Sequence, residues 1–303
     1  MNLPPLSRIS LFEYQRPWRQ GIREGLLIHT LPQRGDGIWT ELAPLPEWSQ
    51  ESLKQAASAL LPLIDRLLAG KPPPPSSLPS VQFAMESLIQ DLIDPITLPP
   101  LPYYLMASAE SIDQTLLKEV NKIKIKVGHL TPGESLAHIK TISHLLTSPT
   151  LAFDMNRQWS SAQVIAFMEA LPSLTIDYLE EPSPDPGSLP YPIALDESWR
   201  EGIPPSSNTR AVIIKPTLGG WGASPPHIRR IFSSAYESEV GLSQIAKMAY
   251  RESVQVESLG ISTYHAFEKS LFKGMRSDKG HISFPKRWSS PEEGIRKIGE
   301  KQN

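Results

Sequence analysis

Apolar and polar positions change their spacing near residue 100, and this change predicts two structural units. Before it, helical spacing of apolar residues predicts helices over 50–68, with Ser49 as the N-cap, and over 80–93. Strict alternation of apolar and polar residues predicts strands over 7–14, 25–31 and 37–42. We therefore expect an α+β capping domain over residues 1–100.

Beyond residue 100, short apolar runs recur, and each ends in polar or charged residues: YYLMAS, KIKIKVG, LAFDMN, TIDYLEEP, IALDES, AVIIKPT, IFSSAYES and VESLGIST. Helical patterns over 132–146 and 161–171 separate some of them. Strands that alternate with helices are typical of parallel βα units. This unit therefore predicts the α/β fold class, as a (β/α)8-type barrel over residues 101–275. Residues 276–303 are expected to form a tail that packs back on the capping domain.

Two connections of the predicted barrel, 182–192 and 216–231, carry too much proline and glycine for a full helix. We expect reduced outer helices at these two places. Such a loss would expose apolar strand faces, which an oligomer interface could cover.

Composition narrows the class of protein. The net charge is -2 and the sequence pI is about 6.4, which argues against a general nucleic-acid binder. Cysteine is absent, so thiol catalysis and thiolate-bound zinc are excluded. No apolar run approaches the roughly 20 residues of a membrane helix, and the N-terminal residues do not resemble a signal peptide. We expect a cytoplasmic protein that binds a small molecule, and the sequence leaves its oligomeric state open.

Candidate chemistry begins with the KIKIKVG run, in which Lys122, Lys124 and Lys126 share one face of the strand. Taken alone, this run is also compatible with a half-exposed antiparallel strand whose lysines face solvent. In a barrel strand, the lysines would instead point inward. A buried lysine is costly unless it is paired or used, and burial also makes it a usable base.

Later runs end in Asp154, Glu180, Asp196 and then Lys215. A single acid at a strand end is most often a solvated cap. Three acids on successive strands, with a lysine before and after them, would meet at the C-terminal end of a barrel. Their mutual repulsion calls for a hard divalent cation, with Mg²⁺ favoured over Mn²⁺ because all ligands are oxygens. A metal flanked by lysines suits proton abstraction next to a carboxylate.

Five motifs occur in the order found in the enolase superfamily: KIKVG (124–128), FDMNRQW (153–159), LEEP (179–182), LDES (195–198) and IIKPT (213–217). Three further segments resemble the o-succinylbenzoate synthase family within it: ELAPLPEWSQES (41–52), LPSVQFAMES (78–87) and SSAYESEVGLSQIA (233–246). The resemblance covers most of the chain and is specific as a set of motifs. It implies Mg²⁺-dependent syn dehydration of 2-succinyl-6-hydroxy-2,4-cyclohexadiene-1-carboxylate to 2-succinylbenzoate, a step of menaquinone biosynthesis.

The resemblance also implies a role for each matching residue. Lys126 would be the base that takes the proton alpha to the carboxylate, and then the acid that assists hydroxide departure. Lys215 would stabilise the enediolate as a cation, and Lys124 would support Lys126 electrostatically. The first glutamate of LEEP would be a metal ligand, and the set of ligands would be Asp154, Glu180 and Asp196. Contacts to the succinyl arm are expected from Ser233 and Ser234.

Three alternatives stay open at this stage. The nearest is N-acylamino-acid racemisation or dipeptide epimerisation, which also uses two opposed lysines and the same metal site. A Schiff-base lyase with Lys126 or Lys215 as nucleophile leaves the three carboxylates unexplained. A non-catalytic barrel used for binding or as a scaffold leaves the combination of lysines and carboxylates unexplained.

Residues outside these motifs have simpler interpretations. Tryptophans are expected to pack in cores or at the domain junction, namely Trp18, Trp39, Trp48 and Trp159. Arg19 and Arg23 are compatible with a loop that closes over the site, and a solvated loop is the favoured interpretation.

Overall fold

The computed structural model describes residues 3–18, 21–108, 120–143, 150–219, 224–252, 257–289, 291 and 294–303. Arg19, residues 144–146 of a predicted helix and residues 220–223 of a predicted short connection lie outside these ranges. Within the described ranges, no helix is long and apolar enough to cross a membrane.

The N-terminal part is an antiparallel sheet covered by two helices. Its strands are β1 (Leu6–Trp18), β2 (Gly21–Pro32) and β3 (Ile38–Leu42), and its helices are α1 (Leu53–Leu68) and α2 (Pro79–Ile93). The last strand of the chain, Ile295–Gln302, pairs antiparallel with β1 at the edge of this sheet. Apolar side chains of β1 and β2 pack against both helices and form a core of their own.

Helix α1 begins three residues later than predicted, because a different serine caps it. Ser52 and Gln55 form a capping box, in which the backbone N–H of Gln55 donates to Ser52 Oγ and that of Ser52 donates to Gln55 Oε1. The prediction of Ser49 as the N-cap was therefore wrong. Ser49 Oγ instead accepts from the backbone N–H of Leu45, at 2.8 Å, and holds the preceding loop.

The second part is a parallel barrel, which confirms the predicted fold class. Seven strands follow one another in order around the sheet: β5 (Leu105–Ser108), β6 (Lys122–Lys126), β7 (Thr150–Asp154), β8 (Thr175–Glu180), β9 (Ile193–Leu195), β10 (Thr209–Ile214) and β11 (Arg229–Phe232). Residues 259 and 260 take the eighth position, because Gly260 bridges Ser233 after β11 and Leu259 bridges Tyr103 before β5, both in parallel. Two-residue strand β4 (Leu101–Pro102) precedes the barrel and pairs with β13 (His281–Ser283), which in turn pairs with β12 (Arg276–Asp278).

In the described ranges of the barrel, the outer helices are α3 (Pro132–Ser143), α4 (Ser161–Ala170), α5 (Glu197–Arg200) and α6 (Glu239–Glu252), and they differ widely in length. The predicted reduction between β8 and β9 is confirmed, because that connection holds only a 3-10 turn at Pro186–Ser188. After β10, the described residues include a 3-10 turn at Pro216–Leu218. Helix α5 has only four residues, a third reduction that the sequence did not predict.

Alternation along β6 fixes which side chains face the barrel interior. Ile123, Ile125 and Val127 are fully buried in the core beneath the outer helices. Lys124 and Lys126 consequently point the other way and line the cavity at the end of the barrel. Small and aromatic side chains fill the interior below them, among them Ala152, Tyr178 and Ala194.

Candidate active site

Strand register brings the predicted residues to the same end of the barrel. Lys126 is the Cα partner of Asp154, and Asp154 is the Cα partner of Glu180. Glu180 in turn pairs with Ala194, two residues before Asp196. One row across four strands therefore ends in a lysine and three carboxylates.

Lys215 lies on the opposite wall of the barrel from Lys126. It follows β10, the sixth of eight strand positions, whereas Lys126 ends the second. Positions four apart in a ring of eight face each other. Both lysines line a cavity of about 390 Å³, together with Lys124, Asp154, Ser233 and Ser234.

Two of the lysines form ion pairs with the acids. Lys124 Nζ lies 2.8 Å from both carboxylate oxygens of Glu180 and 3.9 Å from Asp154 Oδ2. Burial lowers the pKa of Lys124, but the carboxylates of Glu180 and Asp154 outweigh it and hold that pKa above its usual value. Lys215 Nζ donates to Asp196 Oδ2. Burial likewise opposes the charge of Lys215, while Asp196 and Glu180 raise its pKa. Both lysines are therefore cations in the neutral pH range.

Burial and neighbouring charges shift the pKa values of two of the acids, Glu180 and Asp196. Burial raises the pKa of Glu180 to about 7, with Asp154 and Asp196 adding to the rise and Lys124 opposing it. Asp196 behaves differently, because Lys215 and Arg200 outweigh the effect of burial and lower its pKa. Positive side chains therefore outweigh burial at Asp196 but not at Glu180.

The donor set fits a divalent cation, although the side chains as placed do not enclose one. Among the residues that the structure describes, no three acidic or histidine side chains lie close enough together to hold one ion. Asp154, Glu180 and Asp196 are nevertheless all buried at neighbouring strand ends, and Asp196 Oδ1 has no hydrogen-bond partner. Three buried carboxylates that repel one another are the ligand chemistry that Mg²⁺ and Mn²⁺ prefer. Because the described side chains do not yet converge on one point, the assignment of the three as metal ligands stays a prediction.

Glu181, the second acid of LEEP, turns away from the cavity and organises the next strand end. Its carboxylate accepts the backbone N–H groups of Asp196, at 2.6 Å, and Ser198, at 2.8 Å, and the Ser198 hydroxyl at 2.7 Å. Arg157 Nε donates to the same carboxylate at 2.8 Å. Because Glu181 is fully buried, these contacts fix the backbone that carries Asp196.

The middle of FDMNRQW contributes residues that the sequence interpretation passed over. Asn156 and Arg157 both have positive φ, 46° and 58°, and both line the cavity. Besides Glu181, Arg157 contacts both carboxylate oxygens of Glu201, at 2.8 and 3.0 Å, and Ser198 Oγ, at 2.9 Å. A positively charged side chain held this firmly at the cavity edge could have been suspected from its place directly after Asp154–x–Asn156, but only the fold shows its partners.

Ser233 and Ser234 both face the cavity, beside the closing residues of the barrel. Their hydroxyls donate to the Gly260 carbonyl, at 2.9 and 3.2 Å, and Ser234 Oγ lies 2.6 Å from Thr263 Oγ1. A Cβ at residue 260 would lie 2.5 Å from Ser233 Oγ, so this close approach requires glycine. Substrate contact by these serines stays a prediction.

Two predictions outside the motifs were wrong. Trp48 lines the cavity and is 48% exposed, so it does not pack in a core as predicted. Trp18 lies at the domain junction against Tyr236 of the barrel, and Trp39 and Trp159 are buried, all as predicted. Arg23 does not lie in a solvated loop, since it is only 1% exposed. Contacts between distant parts of the chain decide both outcomes.

Comparisons with known proteins agree with this architecture. Family models match residues 8–91, as the MenC N-terminal domain, and residues 107–201, as the enolase C-terminal domain-like family. An o-succinylbenzoate synthase of Edwardsiella ictaluri is 30% identical, over 80% of this chain and 86% of its own length. One from Yersinia pseudotuberculosis is 32% identical, over 79% of this chain and 85% of its own.

Solved structures show the same fold. An o-succinylbenzoate synthase of Thermosynechococcus elongatus, complexed with Mg in its active site, has a TM-score of 0.65 at 21% identity and covers 87% of this chain and 95% of its own. A dipeptide epimerase of Methylococcus capsulatus, complexed with Mg ion, has a TM-score of 0.68 at 16% identity, with coverages of 98% and 99%. From the sequence relatives and the two family models, the chain belongs to the o-succinylbenzoate synthase family of the enolase superfamily.

Proposed function

We propose that this protein catalyses the Mg²⁺-dependent syn dehydration of 2-succinyl-6-hydroxy-2,4-cyclohexadiene-1-carboxylate to 2-succinylbenzoate, in menaquinone biosynthesis. The observation that carries the proposal is the pair of lysines on opposite walls of one cavity, with three buried carboxylates on the strand ends between them. Relatives that cover most of the chain and bear the name of this synthase support the choice of substrate.

Lys126 is the proposed base. It lines the cavity. In the described part of the chain, none of the three carboxylates that pair with Lys124 or Lys215 forms an ion pair with Lys126. In its neutral form, Lys126 Nζ takes the proton from the ring carbon that bears the carboxylate. The resulting ammonium then returns a proton to the hydroxyl group on the neighbouring carbon, which leaves as water. Because one side chain serves both steps, hydrogen and hydroxyl leave from the same face of the ring.

Charge on the substrate grows during the first step, because the carboxylate takes up the electrons of the broken C–H bond. Lys215 meets that charge as a cation from the opposite wall, and its raised pKa keeps it protonated. Asp154, Glu180 and Asp196 would hold a divalent cation, preferably Mg²⁺, which supplies further positive charge at the substrate carboxylate when bound. Lys124 stays charged beside Glu180 and Asp154 and lies two residues before Lys126 on the same strand, where it supports Lys126 electrostatically.

A second candidate function is racemisation or epimerisation of an N-acylamino acid or a dipeptide. Opposed lysines favour it too, since one can remove a proton from one face and the other can deliver a proton to the opposite face. The dipeptide epimerase among the structural neighbours has the same fold, which at 16% identity is all that this likeness shows. Dehydration needs only Lys126 as an acid–base group, whereas racemisation needs both lysines in that role.

Ultraviolet absorbance of the cyclohexadiene carboxylate tests the proposal, because aromatisation changes its spectrum. Wild-type protein with Mg²⁺ is expected to convert the diene, and excess EDTA is expected to stop it. Lys126→Ala should lower kcat by about 10²–10⁴-fold, the usual contribution of a general base. Absence of conversion by folded wild type with Mg²⁺, together with exchange of the Cα proton of an N-acylamino acid, would instead favour the second function.

A further inference from the structure

Arg23 of the capping domain is buried and hydrogen-bonds to two chain segments that contribute residues to the cavity. It lies in β2, and its Nε donates to the Tyr236 carbonyl of the barrel at 3.1 Å. Its Nη1 and Nη2 donate to the carbonyls of Pro44 and Ala43 at 2.8 and 2.5 Å. A fourth bond, to the carbonyl of the adjacent Glu24, anchors the guanidinium to its own strand. All these acceptors are backbone carbonyls, so Arg23 acts on the path of the chain.

Both joined segments line the cavity. The segment after Pro44 contributes Leu45 and Trp48, and the barrel segment contributes Tyr236. We call these three residues the cap-facing wall. Tyr236 lies edge-on against Trp18, with ring centroids 4.5 Å apart, so its position also affects a fourth lining residue. One guanidinium thus links the two halves of the cap-facing wall.

Tyr236 needs such a link because its backbone is strained. Its φ is 62°, a left-handed conformation that a bulky residue keeps only where the surroundings impose it. On its other side, Glu41 of β3 accepts the backbone N–H groups of Ser238, at 2.9 and 3.0 Å, and Gly241, at 2.9 Å. A buried cation and a buried anion of the capping domain therefore hold one short barrel segment from both ends.

We propose that Arg23 is a positioning residue that sets the geometry of the cap-facing wall, and through it the binding of substrate. The guanidinium suits this task because its planar fork bonds several carbonyls in fixed directions, which an ammonium cannot do. The expected change in KM rests on the proposed function, whereas the expected change in the structure of the cap-facing wall does not. Within the described part of the chain, the hydrogen bonds of Arg23 go to backbone carbonyls and none goes to Lys126, Lys215 or the three carboxylates, so its loss acts on binding and leaves the acid–base groups in place.

Kinetics of three variants test the proposal. Arg23→Met is expected to raise KM for the diene on the order of tenfold while kcat changes about threefold at most. Arg23→Lys should recover part of the loss. Arg251→Met is the matched control, because Arg251 also joins the capping domain to the barrel, through Asp91 at 3.0 Å and the Asp94 carbonyl at 2.7 Å, but away from the cavity. It should leave both constants near their wild-type values.

Hydrogen–deuterium exchange gives a readout that does not depend on activity. Arg23→Met should raise amide exchange in segments 43–48 and 233–238, and Arg251→Met should leave both segments unchanged. Unchanged KM and unchanged exchange in Arg23→Met would overturn the proposal, as would a fall in kcat at constant KM. If wild type fails to convert the diene, the proposed function fails and the exchange result alone decides the role of Arg23. If Arg23→Met does not fold, the same two readouts in Arg23→Lys decide it.

Discussion

Removal of the Glu181 carboxylate should destabilise the protein far more than its lack of contact with the cavity would indicate. Glu181→Ala leaves the backbone N–H groups of Asp196 and Ser198 without their acceptor. Each buried donor that loses its partner costs about 1–3 kcal/mol, so the two together cost roughly 2–6 kcal/mol. That is a large share of the roughly 5–15 kcal/mol by which a folded protein is stable.

Glu181→Gln should be milder, because an amide oxygen can still accept both N–H groups. Its NH₂ group, however, faces Arg157 Nε and Ser198 Oγ, so the charged contact to the arginine is lost. We expect a loss of about 1–2 kcal/mol. In both variants the backbone that carries Asp196 should shift, because Glu181 holds it. Divalent-metal affinity should therefore also fall by about 10–100-fold, the usual effect of losing a side chain that supports a metal ligand.

Equilibrium urea unfolding, followed by tryptophan fluorescence, measures the first effect, and titration with Mn²⁺ measures the second. Glu201→Gln is the matched control, because Glu201 also contacts Arg157 but is 55% exposed on its side chain, and surface substitutions usually change stability by less than about 0.5 kcal/mol. The m value should stay constant across the series, so that midpoints can be compared. If Glu181→Ala unfolded within about 0.5 kcal/mol of the Glu201→Gln control, the role assigned to this carboxylate would be refuted.

Two further substitutions test other parts of the site. Gly260→Ala places a Cβ 2.5 Å from Ser233 Oγ, so it should cost about 1–3 kcal/mol in urea unfolding and raise KM for the diene; a neutral substitution would contradict the close approach. Burial raises the pKa of Glu237 in the folded protein, so this group contributes stability below its unfolded pKa, and that contribution is lost as pH rises through the folded pKa. Glu237→Gln cannot ionise, so its stability relative to wild type should increase as pH rises above the unfolded pKa of about 4.3. A stability difference independent of pH would contradict the buried, ionisable Glu237.

Residues that depend on local pattern could be predicted from the sequence. Alternation placed Lys124 and Lys126 on one face of β6, and the series of βα units made that face the inner one. The order of strands then brought Asp154, Glu180 and Asp196 to one end of the barrel. Both follow from the two-residue period of a strand and from the common direction of parallel strands.

Residues that depend on contacts between distant segments could not be predicted. Arg23 is polar and near the N-terminus, yet it is buried because carbonyls about 20 and 213 residues away surround it. Trp48 is large and apolar, yet it is exposed at the cavity, where a ligand rather than the core would cover it. Glu181 could not be separated in role from Glu180 by composition, because only the turn after β8 sends one side chain inward and the other to the next strand end.

Proton NMR of the cyclohexadiene carboxylate, incubated with Mg²⁺-loaded wild-type protein in D₂O, tests the central claim most directly. The account predicts that the ring signals of the diene are replaced by aromatic signals of 2-succinylbenzoate, and that Lys126→Ala protein leaves the diene unchanged over the same time. A folded, metal-loaded wild type that leaves the diene signals intact would contradict the account.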